Sequence, residues 1–462
     1  MTSLAIAMGA ATIACAFGMR LLRLDAGLTF NSFLERAVFG AAIGLAATGY
    51  LILALGLAGA LFAWSVLVLL AALCAVSWRD VGHLIAGVVR GVRGFLSQPV
   101  SVGGTAVTGF FLAMVLLAIL GALAPSSTND WDGLSYHLAV PKLYVQQHGI
   151  CFIGWLSHSN FPFTLEMLYT AGLALDGQAA AKLFHTLCGV LVVLAMLAFG
   201  GAYWERRHGA LAAVVFFAAP IIAWEATVAL NDIAAALLTL LSLYAFINWW
   251  SGRGEAWLSI AAVLCGFALG VKMTAFGLLG FLAVAAFYHR AVSESAGASR
   301  AFGAAAKLVL VAVVVGSPWY LKSWLWAGNP VFPFFYDWLG GKYWTAEAAR
   351  LYRAEQLGFG IGRSPLSLLL VPWNLTMYGH MFSNFPERPL VYTSIGPLIL
   401  ALVPGLLLFG RLDKRVKFLL IYSAVGLGVW FALSQHIRYA IPVLPALALC
   451  AGFAGGEILG KG

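Results

Sequence analysis

Residues 104–124 read GTAVTGFFLAMVLLAILGALA, and residues 125–137 continue as PSSTNDWDGLSYH. The first stretch has no charged residue and reaches the roughly 20 residues that a helix needs to cross a bilayer. The second stretch changes abruptly to proline, small polar residues and two carboxylates. A membrane helix that ends in a polar segment is therefore the unit from which the fold is predicted.

The same unit recurs along the whole chain. Of the 462 residues, 62% are hydrophobic and 10% are charged, whereas an ordinary soluble domain has about 25% charged residues. Apolar windows lie near 2–19, 37–58, 60–77, 104–124, 180–203, 210–229, 232–250, 256–271, 273–288, 303–324, 392–410, 418–434 and 440–459. Because a helix satisfies its own backbone hydrogen bonds in lipid, they predict an all-α polytopic integral membrane protein with about 13 transmembrane helices. A soluble globular domain, a disordered chain and a disulfide scaffold are excluded.

The positive-inside rule predicts an N-terminus outside and a C-terminus in the cytoplasm. In this orientation most of the 27 Lys and Arg residues fall in inner loops, so the net charge of +9 gives no reason to expect a nucleic-acid partner. Two long polar and aromatic segments, 125–179 and 325–391, lie outside. A change of composition near residue 100 divides the chain into a three-helix membrane extension, 1–100, and a core, 101–462.

The first outer segment holds two carboxylates, Asp130 and Asp132, at the mouth of the predicted bundle. Such a pair can supply a catalytic base with a companion, or it can bind a cation. If residues 132–147 are helical, Asp132 and Tyr136 share one side of that helix. Helix capping by either aspartate is the alternative.

Further acids and bases stand at predicted outer helix ends. A carboxylate so close to hydrocarbon as Asp232 is costly and usually faces a cavity or a partner. Lys272, Lys322 and Arg438 can bind a phosphate, Arg438 in bidentate fashion, and membrane-surface anchoring is the alternative for each. Together these positions predict an outward-facing cavity suited to a lipid phosphate as leaving group and a carboxylate as base.

Five short motifs, in this order along one polytopic chain, resemble the GT-C superfamily of membrane glycosyltransferases, in its protein mannosyltransferase and aminoarabinose transferase-like branch. They are Asn129–His137, Asn231-Asp232, Gly266–Lys272, Gly328–Pro330 and Arg438–Pro445. The resemblance, from about residue 104 to the C-terminus, implies a GT-C-like bundle with outer-face loops. It also implies an inverting hexosyl or pentosyl transferase of the bacterial inner membrane, with a polyprenyl-phosphate sugar donor and an active site facing the periplasm. The sequence identifies neither the sugar nor the periplasmic acceptor.

The resemblance assigns roles to the acids. Asp132 would be the general base, because the family places a tyrosine four residues after its acid, as Tyr136 is here. Asp130 is the runner-up, since Gly133 stands where the family often has a second acid. Asp232 would position the acceptor or a metal.

The remaining candidates would bind substrate. Lys272 and Arg438 would hold the donor phosphate, with Lys322 as a third cation. Tyr136 would also contact substrate, and the acceptor site would be lined by His137, His158, Glu166 and His380. Glu166 can instead interact with the positive N-terminal end of an interfacial helix. A divalent cation such as Mg or Mn fits the resemblance, but the sequence does not require one.

Two other functions remain open on this sequence. A transporter or flippase of a lipid-linked or anionic solute would place ionisable groups near the bilayer midplane and would show paired half-sequences. The ionisable residues lie instead at outer helix ends, which favours the transferase. A non-catalytic assembly subunit would tolerate Asp132→Asn.

Overall fold

The computed structural model describes residues 2–97, 101–384, 386–387 and 392–460. These ranges are helical and contain no strand. Twenty α-helices are numbered in chain order: α1 Thr2–Leu21, α2 Phe33–Leu57, α3 Ala63–Leu96, α4 Val102–Leu123, α5 Ala139–Gln146, α6 Thr164–Leu175, α7 Gln178–Tyr203, α8 Arg206–Phe217, α9 Pro220–Glu225, α10 Asp232–Trp250, α11 Ala256–Val271, α12 Ala275–Tyr288, α13 Gly297–Ala327, α14 Tyr336–Leu339, α15 Ala346–Gly358, α16 Pro365–Leu369, α17 Val371–Met377, α18 Pro397–Leu402, α19 Lys414–Leu433 and α20 Leu444–Leu459.

Ten spans within the described ranges are long and apolar enough to cross a membrane. They are Thr2–Leu22, Phe33–Leu57, Ala63–Leu96, Val102–Leu123, Gln178–Tyr203, Asp232–Trp250, Ala275–Ser293, Gly297–Ala327, Lys414–Leu433 and Ile437–Leu459. The protein is therefore a multi-pass membrane protein, as predicted.

Three predicted windows differ from these long spans. The windows 256–271 and 392–410 correspond to the shorter apolar helices Ala256–Val271 and Pro397–Leu408. The window 210–229 is divided, because α8 ends at Phe217 and α9 begins at Pro220. Proline has no backbone N–H and its ring clashes with the preceding turn, so a helix rarely continues through it. The count of about 13 crossings stays a prediction.

One compact unit comprises Met1–Cys151, Thr164–Tyr203 and Glu225–Asn231 and contains α1 to α7. Its first two helices approach closely through small residues. A β-carbon on Gly44 would overlap the carbonyl oxygen of Ala14, and one on Gly18 would overlap that of Gly40. Glycines four residues apart let helix backbones touch within a membrane, so these glycines fix the α1–α2 pair.

The predicted three-helix extension is part of this first unit. Helix α1 packs on α2, α3 and α7, and α2 packs on α6 and α7. The predicted boundary near residue 100 falls at residues 98–100, outside the described part of the chain. The division into extension and core stays a prediction.

The second compact unit comprises Phe152–Phe163, Trp204–Trp224 and Asp232–Gly462. Helix α10 is almost entirely buried within it and packs against α11. The turn predicted after the crossing 303–324 is present, since α13 ends at Ala327 and Gly328 adopts a left-handed conformation with φ +76°. The predicted outer segment 325–391 continues through short helices, with residues 385 and 388–391 outside the described ranges.

Candidate active site

A single π-helical turn, Gly133–His137, begins directly after Asp132 and carries Tyr136, the tyrosine that the sequence pairs with this acid. The Tyr136 hydroxyl donates to Asp132 Oδ2 at 3.3 Å, and Asp132 is half-buried. The N–H of Leu138 donates to the carbonyl of Gly133 at 2.8 Å, which closes the wide turn. The helix predicted over 132–147 is thus this turn followed by α5. Wide turns of this kind occur frequently at functional sites.

Asp130 has a different environment from Asp132. Its side chain is only 2% exposed, and its carboxylate lies against Gly133. Burial raises the pKa of Asp130 above its ordinary value, while the neighbouring Ser126 hydroxyl and the positive charge of Lys182 oppose the shift. A side chain at position 133 would collide with this carboxylate, which explains why glycine stands where the resembling family often has an acid.

Lys182 is a functional candidate that the sequence motifs do not single out. Its ammonium donates to the carbonyl oxygens of Gly121, at 3.2 Å, and Ala124, at the end of α4. A cation at the carbonyl end of a helix is stabilised by the helix dipole. The signal was available, because a lone lysine inside the apolar window 180–203 is costly without a partner.

His137, Glu166 and Asn231 form a buried group in the first unit. His137 Nδ1 lies 2.6 Å from Glu166 Oε1, and Asn231 Nδ2 donates to the same oxygen at 2.9 Å. Glu166 is fully buried in the first turn of α6, and His137 is 2% exposed. Two of the residues predicted to line an acceptor site, His137 and Glu166, therefore meet, but they bind each other and connect the π turn to α6.

Asp232, Lys272 and Arg438 meet in the second unit, as the sequence predicts from three distant segments. The Lys272 ammonium donates to Asp232 Oδ1, and Arg438 Nη1 lies 3.9 Å from Asp232 Oδ2. Lys272 Nζ also lies 4.5 Å from the centroid of the Tyr439 ring. Asp232 is fully buried at the start of α10, and Arg438 is largely buried. Two cations against one carboxylate leave this group with a net positive charge.

Lys322 makes its described contacts with a different set of groups. Its ammonium donates to the carbonyl oxygen of Ser159 at 2.7 Å. It lies 5.6 Å from the ring centroid of Phe163 and 5.3 Å from those of Trp319 and Trp326. Three ring faces around one ammonium stabilise the cation by cation–π attraction.

Within the described ranges, no three His, Cys, Asp or Glu side chains are grouped so that they could hold a metal ion. The requirement for Mg or Mn stays a prediction, because such an ion can be held by one or two carboxylates together with substrate phosphates.

A family model described as a domain of unknown function, DUF8201, matches residues 153–445, more than half of the chain. The chain belongs to the DUF8201 family. An uncharacterised Shigella flexneri protein is 24% identical to this DUF8201 protein over 112 residues, which are 23% of the chain and 54% of that relative. The chain thus spans about half the length of the curated relative that it matches.

The DUF8201 protein is similar in fold to ArnT from Cupriavidus metallidurans, whose crystal structure contains undecaprenyl phosphate. The two share 18% sequence identity and a TM-score of 0.50, over 77% of this chain and 63% of ArnT. An oligosaccharyltransferase from Archaeoglobus fulgidus has 16% identity and a TM-score of 0.40, over 76% of this chain and 50% of its own. ArnT is a GT-C superfamily member, so the predicted GT-C-like fold is confirmed for the DUF8201 protein.

Proposed function

We propose that the protein is an inverting glycosyltransferase that transfers a sugar from a polyprenyl phosphate to an acceptor at the periplasmic face of the bacterial inner membrane. The observation that carries this proposal is the group of Asp232, Lys272 and Arg438, in which two cations converge on one buried acid. The fold likeness to ArnT, solved with undecaprenyl phosphate, supports it. The proposal includes about 13 crossings, an outer N-terminus and a cytoplasmic C-terminus, on the positive-inside rule.

Lys272 and Arg438 would bind the donor phosphate. Asp232 occupies one donor of the Lys272 ammonium, and an ammonium has three donors, so two remain for phosphate oxygens. Arg438 would offer its planar fork, which matches phosphate in bidentate fashion. Asp232 would thus act as a positioning residue that holds Lys272 in place and offsets the repulsion between the two cations. Lys322 would stabilise the donor only if the Ser159 carbonyl released it.

Asp132 would act as general base on the acceptor hydroxyl. The acceptor oxygen attacks the anomeric carbon, its proton passes to the Asp132 carboxylate, and the bond from the anomeric carbon to the phosphate oxygen breaks. The electron pair of that bond leaves with the polyprenyl phosphate, and a single displacement inverts the anomeric centre. Asp132 suits this role better than Asp130, because it is half-buried and bonded to Tyr136, whereas Asp130 is buried against the backbone.

The positions of the ionisable groups also favour the transferase over a transporter or flippase. Asp232 is the first residue of α10, Lys272 directly follows α11, and Arg438 lies in the short turn before α20. A transporter is expected to place such groups near the bilayer midplane, commonly at interrupted helices. Side chains at helix ends can reach a lipid head group at the membrane surface.

The test uses undecaprenyl phosphate, the leaving group that every candidate sugar on this lipid would share. Native mass spectrometry of the purified full chain should detect its binding. Arg438→Gln should weaken binding about 10–100-fold, the value of a charge-assisted hydrogen bond of about 1.5–3 kcal/mol. Arg438→Lys should fall between, because it keeps the charge but loses the fork.

The matched control is Arg363→Gln, which removes an exposed arginine bonded to the carbonyls of Leu357 and Leu433 in the same unit. Binding should be unchanged in that variant. The proposal is wrong if the wild type does not bind undecaprenyl phosphate. It is also wrong if Arg363→Gln weakens binding as much as Arg438→Gln does.

A further inference from the structure

Helix α3 is longer than a membrane crossing requires. Its 34 residues rise about 51 Å at about 1.5 Å per residue, against a hydrocarbon core of about 30 Å. The excess begins near Asp80, which is buried and lies 2.9 Å from Arg23 and 3.7 Å from Arg36. Arg23 follows the end of α1, and Arg36 is in the first turn of α2. Asp80 therefore lies level with the end of α1 and the start of α2, and residues 81–96 of α3 extend beyond that level.

Residues 79–96 form three distinct sides at about 100° per residue. One side packs within the unit, where Gly87 lies against the ring of Phe33 and Asp80 binds the two arginines. A second side carries large apolar residues with exposed fractions between 52% and 74%: Ile85, Val88, Val92, Phe95 and Leu96. The third side, opposite the apolar one, carries the basic residues Arg79, His83, Arg90 and Arg93.

A break in helix geometry separates this segment from the crossing. Ser77 has non-helical dihedrals, φ −109° and ψ 18°. Its hydroxyl donates to the carbonyl of Leu73 at 2.5 Å. A serine that bonds back to the preceding turn often bends a helix. The segment after Ser77 can thus follow a direction different from that of the crossing.

We propose that residues 78–96 of α3 lie in the head-group layer and bind a surface of anionic phospholipid. The apolar side would enter the acyl boundary, and the long arginine side chains of the opposite side would reach back to head-group phosphates, as in amphipathic interfacial helices. Charge complementarity selects an anionic lipid, because the single acid of the segment, Asp80, is already bound to Arg23 and Arg36. The proposal rests on unit 1 alone and is independent of any transferase activity.

The first test compares two double variants of the full chain. Arg90→Gln with Arg93→Gln removes two exposed arginines from the segment. Arg350→Gln with Arg353→Gln makes the same charge change on exposed α15. Each arginine near an anionic surface is worth about fivefold in binding, so the first pair should lower the affinity for phosphatidylglycerol roughly 25-fold.

Affinity is titrated with phosphatidylglycerol by native mass spectrometry, with phosphatidylcholine as the neutral lipid. The control pair should bind phosphatidylglycerol like the wild type. Equal losses in both pairs, no loss in the first, or equal loss of phosphatidylcholine would overturn the proposal.

The second test measures depth with a nitroxide label in phosphatidylcholine vesicles with and without phosphatidylglycerol. Val92→Cys places the label on the apolar side, and Ala86→Cys places it on the basic side; the unmodified chain gives the background from native cysteines. The label at 92 should be accessible to oxygen dissolved in lipid and shielded from a water-soluble relaxant, and the label at 86 should show the reverse. Equal water accessibility would mean that the segment projects into solvent. Shielding of 92 from both relaxants would indicate a protein partner, and either result rejects the proposal.

Discussion

The carboxylate of Asp130 lies directly against Gly133, where a β-carbon would overlap both of its oxygens. This contact sets the start of the π turn that carries Tyr136 and directly follows Asp132. The absence of a side chain at Gly133 therefore affects the position of Asp132, the proposed base.

The first prediction concerns this contact. Gly133→Ala should destabilise the protein by about 1–3 kcal/mol, the usual cost of overpacking a tight site. In an Asp130→Ala background, where the colliding carboxylate is absent, the same change should cost much less. Thermal unfolding of the four proteins in one detergent measures both values. Equal costs in the two backgrounds would show that the contact does not limit position 133.

A second prediction follows from the raised pKa of Asp130. Because burial raises it above the ordinary value of 3.8, the folded state holds the proton more tightly than the unfolded state. Stability should therefore fall as the pH rises from 3.8 through the raised pKa, and stay lower above it. Asp130→Asn removes this penalty, so the variant should unfold at a higher temperature than the wild type at neutral pH.

The stability advantage of Asp130→Asn should shrink below the raised pKa and disappear below about pH 3.8. Calorimetry across this range, with the wild type measured in parallel, separates this carboxyl from the titration of all others. A variant less stable than the wild type at neutral pH would mean that Lys182 stabilises the charged carboxylate and that the predicted sign is wrong.

The third prediction separates the two acids of the first outer segment by activity. Asp132→Asn should lower the rate of sugar transfer by about 10²–10⁴, the usual contribution of a general base, with unchanged binding of undecaprenyl phosphate. Tyr136→Phe should have a smaller effect, because it removes one hydrogen bond and leaves the carboxylate. Asp130→Asn should retain transfer. The opposite pattern, an inactive Asp130 variant and an active Asp132 variant, would assign the base to Asp130.

The fourth prediction concerns the buried pair of His137 and Glu166. Each change weakens or removes the same buried contact, while Glu166 keeps its hydrogen bond from Asn231, so the two changes should not be additive. A double-mutant cycle with His137→Ala and Glu166→Gln should give a coupling energy of at least about 1 kcal/mol in unfolding. The control cycle pairs Glu166→Gln with His148→Ala, since His148 contacts the carbonyl of Leu61. Additivity within the His137 cycle would contradict the pairing.

The sequence predicts those clusters of side chains in which every member is a charged residue within otherwise apolar sequence. Asp232, Lys272 and Arg438 are recognisable because a charge at the end of a membrane helix is expensive without a partner, and all three do meet. The pairing of Asp132 with Tyr136 follows from helical spacing and holds in a wider turn.

Other contacts could not be predicted, because they depend on backbone atoms or on packing between distant segments. Lys182 binds carbonyl groups of α4, which carry no sequence signal. The rings around Lys322 come from two separate segments of the second unit. An averaged apolar window over 210–229 also conceals the break before Pro220, although the proline itself is visible.

Helix α4, which leads into the proposed base, buries only 11% of its apolar window against the rest of the chain. Its buried residues, Ala118 and Ala122, lie near the end where Lys182 binds its carbonyls. The rest of the chain thus contacts α4 near one end, and surrounding lipid would contact the remainder of the helix. Its tilt is therefore expected to follow bilayer thickness, which would make the lipid environment a determinant of how the loop after α4 is presented.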